Sequence, residues 1–197
     1  MEKIGMGLDQ EKKKAVFHPL YFLFAFIMWI LVVGWLAVIF SLSAETGDAS
    51  TLRSQELIRK FSEFFHANVN EDFVRSCAHI FEFTVLSVLA YIAMFATNHI
   101  QTRFDQPGIK FLEKFKNDNE VYIAVSLWIT ALSASADEYH QIFVDGRSSS
   151  LFDDFLDLCG AVVVMVIILI VVSIYVYVKN KKENVSLITQ EANVEEM

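Results

Sequence analysis

Residues that interrupt or cross-link a chain are scarce in this sequence. Its 197 residues include only two prolines, seven glycines and two cysteines. Two cysteines do not make a disulfide framework. The 16 basic residues are outnumbered by 24 acidic ones, so there is no global basic patch and nucleic-acid binding is disfavoured. The remainder is strongly apolar: 54% of the residues are hydrophobic, which is too many for an ordinary soluble domain of this size.

The apolar residues are grouped in long blocks, which indicates membrane spans. A helix rises 1.5 Å per residue, so each block is long enough to cross a hydrocarbon core of about 30 Å. We therefore predict an all-α fold, an integral membrane four-helix bundle, preceded by a leader at residues 1–16 and followed by a tail at 179–197. The predicted membrane domain covers residues 17–178, with spans at about 17–42, 76–98, 120–141 and 151–178.

The leader is short, polar and basic. The apolar run after Lys14 is too long for the apolar region of a signal peptide and lacks a small-residue cleavage site. We therefore do not expect a cleavable signal.

Residues 48–66 have a different pattern from the spans. Leu57, Phe61, Phe64 and Phe65 recur at helical spacing, with charged residues between them. This pattern predicts an amphipathic helix, which lies either in the membrane surface or on the ends of the bundle itself.

Basic residues are distributed unevenly about the four predicted spans. The leader, the loop around residues 99–118 and the tail carry eleven of the sixteen, and the other side carries five. By the positive-inside rule both termini are cytoplasmic and the protein is a multi-pass cell-membrane protein. The loops at 43–75 and 142–152 then face outward.

Residues 133–160, between two long apolar runs, hold six carboxylates, one His and one Arg. Ionisable groups at membrane depth cost several kcal/mol unless they are paired or face water. Helical spacing and the predicted topology bring polar residues of three spans to one depth on the outer side. The candidate pocket residues are His79, Glu82, Asp137, Glu138, His140, Gln141, Arg147, Asp153 and Asp157.

Three interpretations of this cluster stay open. In the first, Arg147 neutralises carboxylates in a structural ion network. In the second, the pocket binds or translocates an amphiphile with a polar head group. In the third, the cluster is a metal-assisted or acid–base enzyme site, with His79 and Glu82 on adjacent turns as ligands of a divalent cation. The His-x-x-Glu spacing alone is a weak signal, and no other cofactor is expected.

Four segments resemble the motifs of the VanZ-like family, over about residues 17–178. Phe40–Ser43 resembles its F-x-x-S segment, and Arg75–Phe83 its R-K-x-x-H-F-x-E-Y segment. Asp137–Arg147 is similar to its D-E-x-x-Q-x-F-x-x-G-R signature, and Asp153–Gly160 to its D-x-x-x-[ND]-x-x-G spacing.

Four positions depart from these motifs. Ser76 replaces the usual Lys and Phe83 a common Tyr, which removes a positive charge and a hydroxyl from the pocket rim. Ile80 replaces a common Phe, and Asp145 a Pro that often precedes the Gly-Arg pair.

The resemblance implies a bacterial envelope protein linked to reduced susceptibility to teicoplanin and other lipid-bearing glycopeptides, and it implies no particular reaction. The expected partners are the lipid bilayer and a lipid-linked envelope molecule or lipoglycopeptide, with no nucleic acid. Cys77 and Cys159 fall near the same predicted membrane face, so a bridge between them stays open.

Overall fold

The computed structural model describes residues 16–65, 70–102, 111–147 and 151–195, and side chains in parts of these ranges are left undescribed. Helices make up nearly all of the described chain, which confirms the all-α fold. The elements are β1 Val16–Phe17, α1 Pro19–Ser43, α2 Gly47–Phe65, α3 Glu71–Asn98, β2 Gln101–Thr102, α4 Phe111–Gln141 and α5 Leu151–Glu195.

Helix α3 lies at the centre of the molecule and packs against α1, α4 and α5. Its inward face is made of small or compact side chains, and Ser87, Ala90 and Ala93 are fully buried. Small residues at a helix interface let the backbones approach closely, which is how helices pack where no water drives them together. The core around them is completed by Met28 and Val32 of α1.

Large apolar side chains cover the outer surfaces of α1 and α5. Phe26 and Val33 of α1 and Val163 and Ile167 of α5 are all exposed. By length and hydropathy, three helical segments among the described residues can cross a membrane: Pro19–Ser43, Phe73–Asn98 and Phe155–Lys182. The exposed apolar faces of these helices are the surfaces that lipid would cover.

The third predicted span, at about 120–141, corresponds to α4, which is less apolar than the helices that contain the other three predicted spans. Its sequence interleaves Ser126, Thr130 and Ser133 with apolar residues and ends in Asp137 and Glu138. It nevertheless packs against α1, α3 and α5. A fourth membrane crossing by α4 stays a prediction.

The helices are longer than the predicted spans. Helix α3 begins at Glu71 rather than near 76, α4 at Phe111 rather than near 120, and α5 continues to Glu195 rather than ending near 178. Hydropathy marks only the stretch that suits hydrocarbon, whereas Lys, Glu and Gln beyond it are good helix formers and prolong the helix into water.

The two ends of the bundle differ. At one end, called the strand end, β1 and β2 pair antiparallel, with Val16 opposite Thr102 and Phe17 opposite Gln101. At the other, called the junction end, the α1–α2 junction (residues 43–47) meets the α4–α5 loop (residues 142–147). The short strands were not predicted, because a two-residue pairing leaves no periodic signal in the sequence.

Gly160 provides a test of the close approach between α3 and α5. A Cβ atom at Gly160 would lie 2.4 Å from Oγ1 of Thr84 and 3.0 Å from the carbonyl oxygen of Ile80. We expect Gly160→Ala to destabilise the fold by about 1–3 kcal/mol through overpacking, seen as a lower melting temperature in detergent.

Gly34 of α1 is the matched control, because nothing lies within 4 Å of a Cβ atom built there. Gly34→Ala should leave the melting temperature unchanged or raise it slightly, since Ala favours helix. Equal melting temperatures for the two variants would contradict the packing of α5 on α3 described above.

Candidate functional site

The junction end is held together by a contact between two glycines. The backbone N–H of Gly47 donates a hydrogen bond of 3.0 Å to the carbonyl oxygen of Asp145. A Cβ atom on Gly47 would lie only 2.2 Å from the carbonyl oxygen of Gly146, so no side chain fits there. Gly146 itself has a φ of +74°, a conformation that glycine adopts without steric cost.

Arg147 follows this turn and reaches the end of α1. Its Nη2 donates to the carbonyl oxygen of Leu42 at 3.0 Å, and its Nε donates to that of Glu45 at 3.2 Å. These carbonyls belong to the last turn of α1 and the residues after it, where no intrahelical donor remains. Arg147 therefore caps α1, as a cation at a helix C-terminus does.

The environment of Arg147 is partly dehydrated and holds charges of both signs. Partial burial, followed by the nearby charges of Arg75 and Arg53, lowers the pKa of its guanidinium group from its ordinary value, whereas the charges of Asp137 and Glu45 act in the opposite direction. A carboxylate in this region pairs with another arginine: Arg53 Nη1 donates to Glu45 Oε2 at 2.5 Å. The direct hydrogen bonds of Arg147 are thus to backbone carbonyls, a role that residue spacing did not predict.

Three carboxylates at this end are almost completely buried: Asp137 and Glu138 of α4 and Asp157 of α5 are 1%, 4% and 0% exposed. Asp137 Oδ2 accepts a hydrogen bond of 2.8 Å from Nε2 of Gln141, one helical turn further on. Its other oxygen, Oδ1, has no hydrogen-bond partner among the described residues. Burying such a group costs free energy that a ligand or water can recover.

His79 and Asp157 form a second polar pair, between α3 and α5. The Nδ1 atom of His79 lies 3.7 Å from Oδ1 of Asp157, and the His79 side chain is 17% exposed. A carboxylate close to one ring nitrogen orients the imidazole ring. The other nitrogen, Nε2, then points away from that carboxylate.

These side chains surround two cavities of about 200 Å³ each. The loop cavity lies beside the glycine contact, and its lining includes Gly47, Gly146, Gln141 and Asp157. The helix cavity lies under α2, and its lining includes Ser43, Ser50, Arg53, Ser54, Glu82 and Asp137. Arg75, His79 and Arg147 line both cavities.

Most of the candidate residues from the sequence thus meet at the junction end. Glu138 is buried but lines neither of these two cavities. His140 is half-buried, and its ring lies edge-on to Phe40 with 6.3 Å between centroids. Asp153 lies in the first turn of α5, and its side chain is outside the described residues. The candidates that line one cavity or both are His79, Glu82, Asp137, Gln141, Arg147 and Asp157.

The sequence analysis missed two arginines of the cavity wall. Arg75 precedes His79 by four residues and Glu82 by seven, so all three share one face of α3. That spacing could have identified Arg75, which the sequence analysis named only as the first residue of a family motif. Arg53 was treated as part of the polar face of an amphipathic helix.

Helix α2 contributes its hydroxyl side chains to the site. Ser50 and Ser54, four residues apart, are 3% and 6% exposed, whereas Leu52 is 67% exposed. The first half of α2 therefore packs on the end of the bundle, one of the two arrangements left open above.

Metal ligation stays a hypothesis. Among the described residues no group of three or more His, Cys, Asp or Glu side chains is arranged to hold a metal ion. The two cysteines are free, with Cys77 exposed and Cys159 half-buried.

The capping role of Arg147 makes a prediction about stability. Arg147→Gln removes charge-assisted hydrogen bonds to Leu42 and Glu45, and we expect a loss of about 2 kcal/mol, measured as a lower melting temperature in detergent. Arg59→Gln is the control, because Arg59 is an exposed residue of α2 whose salt bridge, with Glu63 at 3.4 Å, is exposed as well. A loss of similar size in Arg59→Gln would contradict a specific role for the cap.

Comparison with known proteins identifies the family of this chain. The search of curated proteins and the search of solved structures each found no match. The sequence model of the family described as VanZ/LLP1 matches residues 23–172, which include helices α1 to α4 nearly whole and the first half of α5. The match covers well over half of the chain, and the chain belongs to the VanZ/LLP1 family.

Proposed function

We propose that this protein binds or modifies the head group of a cell-envelope amphiphile at its junction end, and so alters the access of teicoplanin and other lipid-bearing glycopeptides to the cell surface. The observation that carries this proposal is the pair of cavities lined by ionisable residues of α2, α3, α4 and α5. Membership of the VanZ/LLP1 family supports the link to glycopeptides as an expectation from resemblance.

Burial of the ionisable groups favours function over scaffolding. Asp137 and Asp157 lie at the end of helices whose outer faces are apolar, so their desolvation is costly. Apolar side chains at these positions would stabilise a purely structural bundle as well or better. The cavities also lie at the end of the bundle, at the depth of lipid head groups if the helices span the bilayer.

The proposed orientation directs the junction end outward in a bacterial cell membrane. Lys179, Lys181 and Lys182 lie on α5 beyond its apolar stretch, on the side of the strand end. The junction end has fewer basic residues, and three of them, Arg53, Arg75 and Arg147, line the cavities. The positive-inside rule then puts the strand end and both termini in the cytoplasm.

Cysteine labelling tests this orientation. In a background with Cys77→Ala and Cys159→Ala, Lys60→Cys on the exposed face of α2 should react with a membrane-impermeant maleimide in intact cells. Lys181→Cys, exposed beyond the apolar part of α5, should react only after the cells are permeabilised. The opposite pattern would reverse the orientation and remove the proposed access to the outer surface.

A second candidate function is acid–base catalysis on a lipid-linked or wall substrate, and the His79–Asp157 pair favours it. With Nδ1 near a carboxylate, Nε2 can take up or release a proton at a substrate in the cavity. A divalent cation could take part, with His79 and Glu82 of α3 as ligand types. This candidate predicts a changed product, whereas simple binding does not.

Substitutions in the helix cavity test the main proposal. We expect Glu82→Gln and Asp137→Asn to weaken binding of the amphiphile head group about tenfold if one charge-assisted hydrogen bond is lost, so that cells that express the variants bind more labelled teicoplanin than cells that express the unaltered protein. Asp118→Asn is the matched control, because Asp118 accepts a 3.0 Å hydrogen bond from Asn98 near the strand end.

The same cells separate the candidate functions. A lipid or wall product that disappears in His79→Gln cells supports the catalytic candidate. Unchanged teicoplanin binding in all cavity variants, at equal protein levels, would refute the proposal. If the variants lower only the melting temperature of the purified protein, the ion network is structural.

A further inference from the structure

We propose that the cavities at the junction end bind the phosphate group of a phosphate ester, and that Arg75 is the residue that selects it. This inference rests on the proposed function and names the chemical class of the head group. A lipid head group and a water-soluble ester present the same phosphate chemistry, and the experiment below separates these two sources.

Guanidinium groups from three elements surround the same space. Arg53 of α2, Arg75 of α3 and Arg147 of the α4–α5 loop all line the helix cavity. Arg75 and Arg147 also line the loop cavity. Like charges that share a partly dehydrated site destabilise one another, and an anion between them removes that repulsion.

The effect of this repulsion is visible at Arg147. After burial, the charges of Arg75 and Arg53 are the next causes that lower the pKa of its guanidinium group. Arg147 uses Nε and one Nη2 hydrogen to cap α1. A guanidinium group has five N–H donors, so the cap leaves donors for an anion.

Two of the carboxylates in the same region pair with a neighbouring side chain. Glu45 pairs with Arg53 at 2.5 Å, and Asp137 accepts a hydrogen bond from Gln141 at 2.8 Å. Three guanidinium groups and two carboxylates, Glu82 and Asp137, line the helix cavity, so its wall has an excess of positive charge and favours an anionic ligand over a cationic one. The loop cavity is lined by two groups of each sign.

A phosphate group fits this set of donors better than a carboxylate does. Its oxygens point in tetrahedral directions and can accept hydrogen bonds from arginines on different elements. The planar guanidinium group of Arg can donate two parallel hydrogen bonds to one phosphate. His79, Thr51 and Ser76 add further donors around the loop cavity. A cavity of about 200 Å³ is several times the roughly 30 Å³ that one water occupies in the liquid, so a phosphate group fits with water beside it.

The experiment uses the full-length protein purified in a maltoside detergent, which is uncharged and contains no phosphate. Inorganic phosphate is titrated against chloride at constant ionic strength, and the melting temperature gives the apparent Kd. We expect stabilisation by phosphate, and a Kd about tenfold weaker in Arg75→Gln, since a charge-assisted hydrogen bond is lost. Arg75→Lys should bind with intermediate affinity, because it retains the charge but not the fork.

Arg59→Gln is the matched control for loss of a positive charge, because Arg59 is exposed on α2 and does not line either cavity. It should bind phosphate as the unaltered protein does. Arg75→Lys keeps the test valid if Arg75→Gln does not fold. Equal phosphate affinity in the unaltered protein, Arg75→Lys and Arg75→Gln would overturn the inference, as would stabilisation by ammonium instead of phosphate.

A second measurement identifies the source of the phosphate. Phosphatidic acid and diacylglycerol, which differ only in the phosphate, are compared in mixed micelles. Stronger binding of phosphatidic acid, weakened by Arg75→Gln, supports the phosphate site and an amphiphilic ligand. Binding of inorganic phosphate without phosphatidic acid supports the phosphate site but refutes the amphiphile of the proposed function. Equal binding of the two lipids overturns the phosphate site while the proposed function stands.

Discussion

The two loops at the junction end meet at Gly47 and Gly146, and the walls of both cavities depend on this contact. Because neither residue has a side chain, the start of α2 approaches the α4–α5 loop closely enough for the hydrogen bond from Gly47 to Asp145. The same turn brings Arg147 to the end of α1, where it caps the helix. One backbone contact therefore fixes the loop, the cap and the position of a positive charge.

Helix α3 combines two surfaces along one inward face. Toward the strand end, Ala90 and Ala93 let the neighbouring helices pack closely. Toward the junction end, the face carries Arg75, His79 and Glu82, which are long and polar and line open space. The change in side-chain size along this face explains why the bundle is tightly packed in the middle and hollow at one end.

Arg147 can serve both the stability of the fold and the proposed function. Its hydrogen bonds to Leu42 and Glu45 are structural, yet the same guanidinium group lines both cavities beside Arg75. A ligand that occupies the cavities would therefore also affect the closure of α2 over the bundle, since Ser50 and Ser54 form part of the same wall. The same residues of the junction end therefore stabilise the fold and line the cavities.

The local pattern of the sequence determined the helices of this protein and the faces on which their residues lie. Apolar blocks predicted the helices, and helical spacing predicted which residues share a face, so that His79, Glu82, Asp137 and Asp157 were expected together.

Only the tertiary structure decided the partners of the charged groups. Arg147 was expected near carboxylates but hydrogen-bonds to carbonyls 102 and 105 residues away in the chain. Arg75 and Arg53 line the helix cavity, and the serines of α2 are buried against the bundle. Sequence periodicity is a local property of one helix, so it determines only the helix face on which a residue lies. The group that the residue contacts depends on how segments distant in the sequence pack together, as the segments around Gly47 and Gly146 do here.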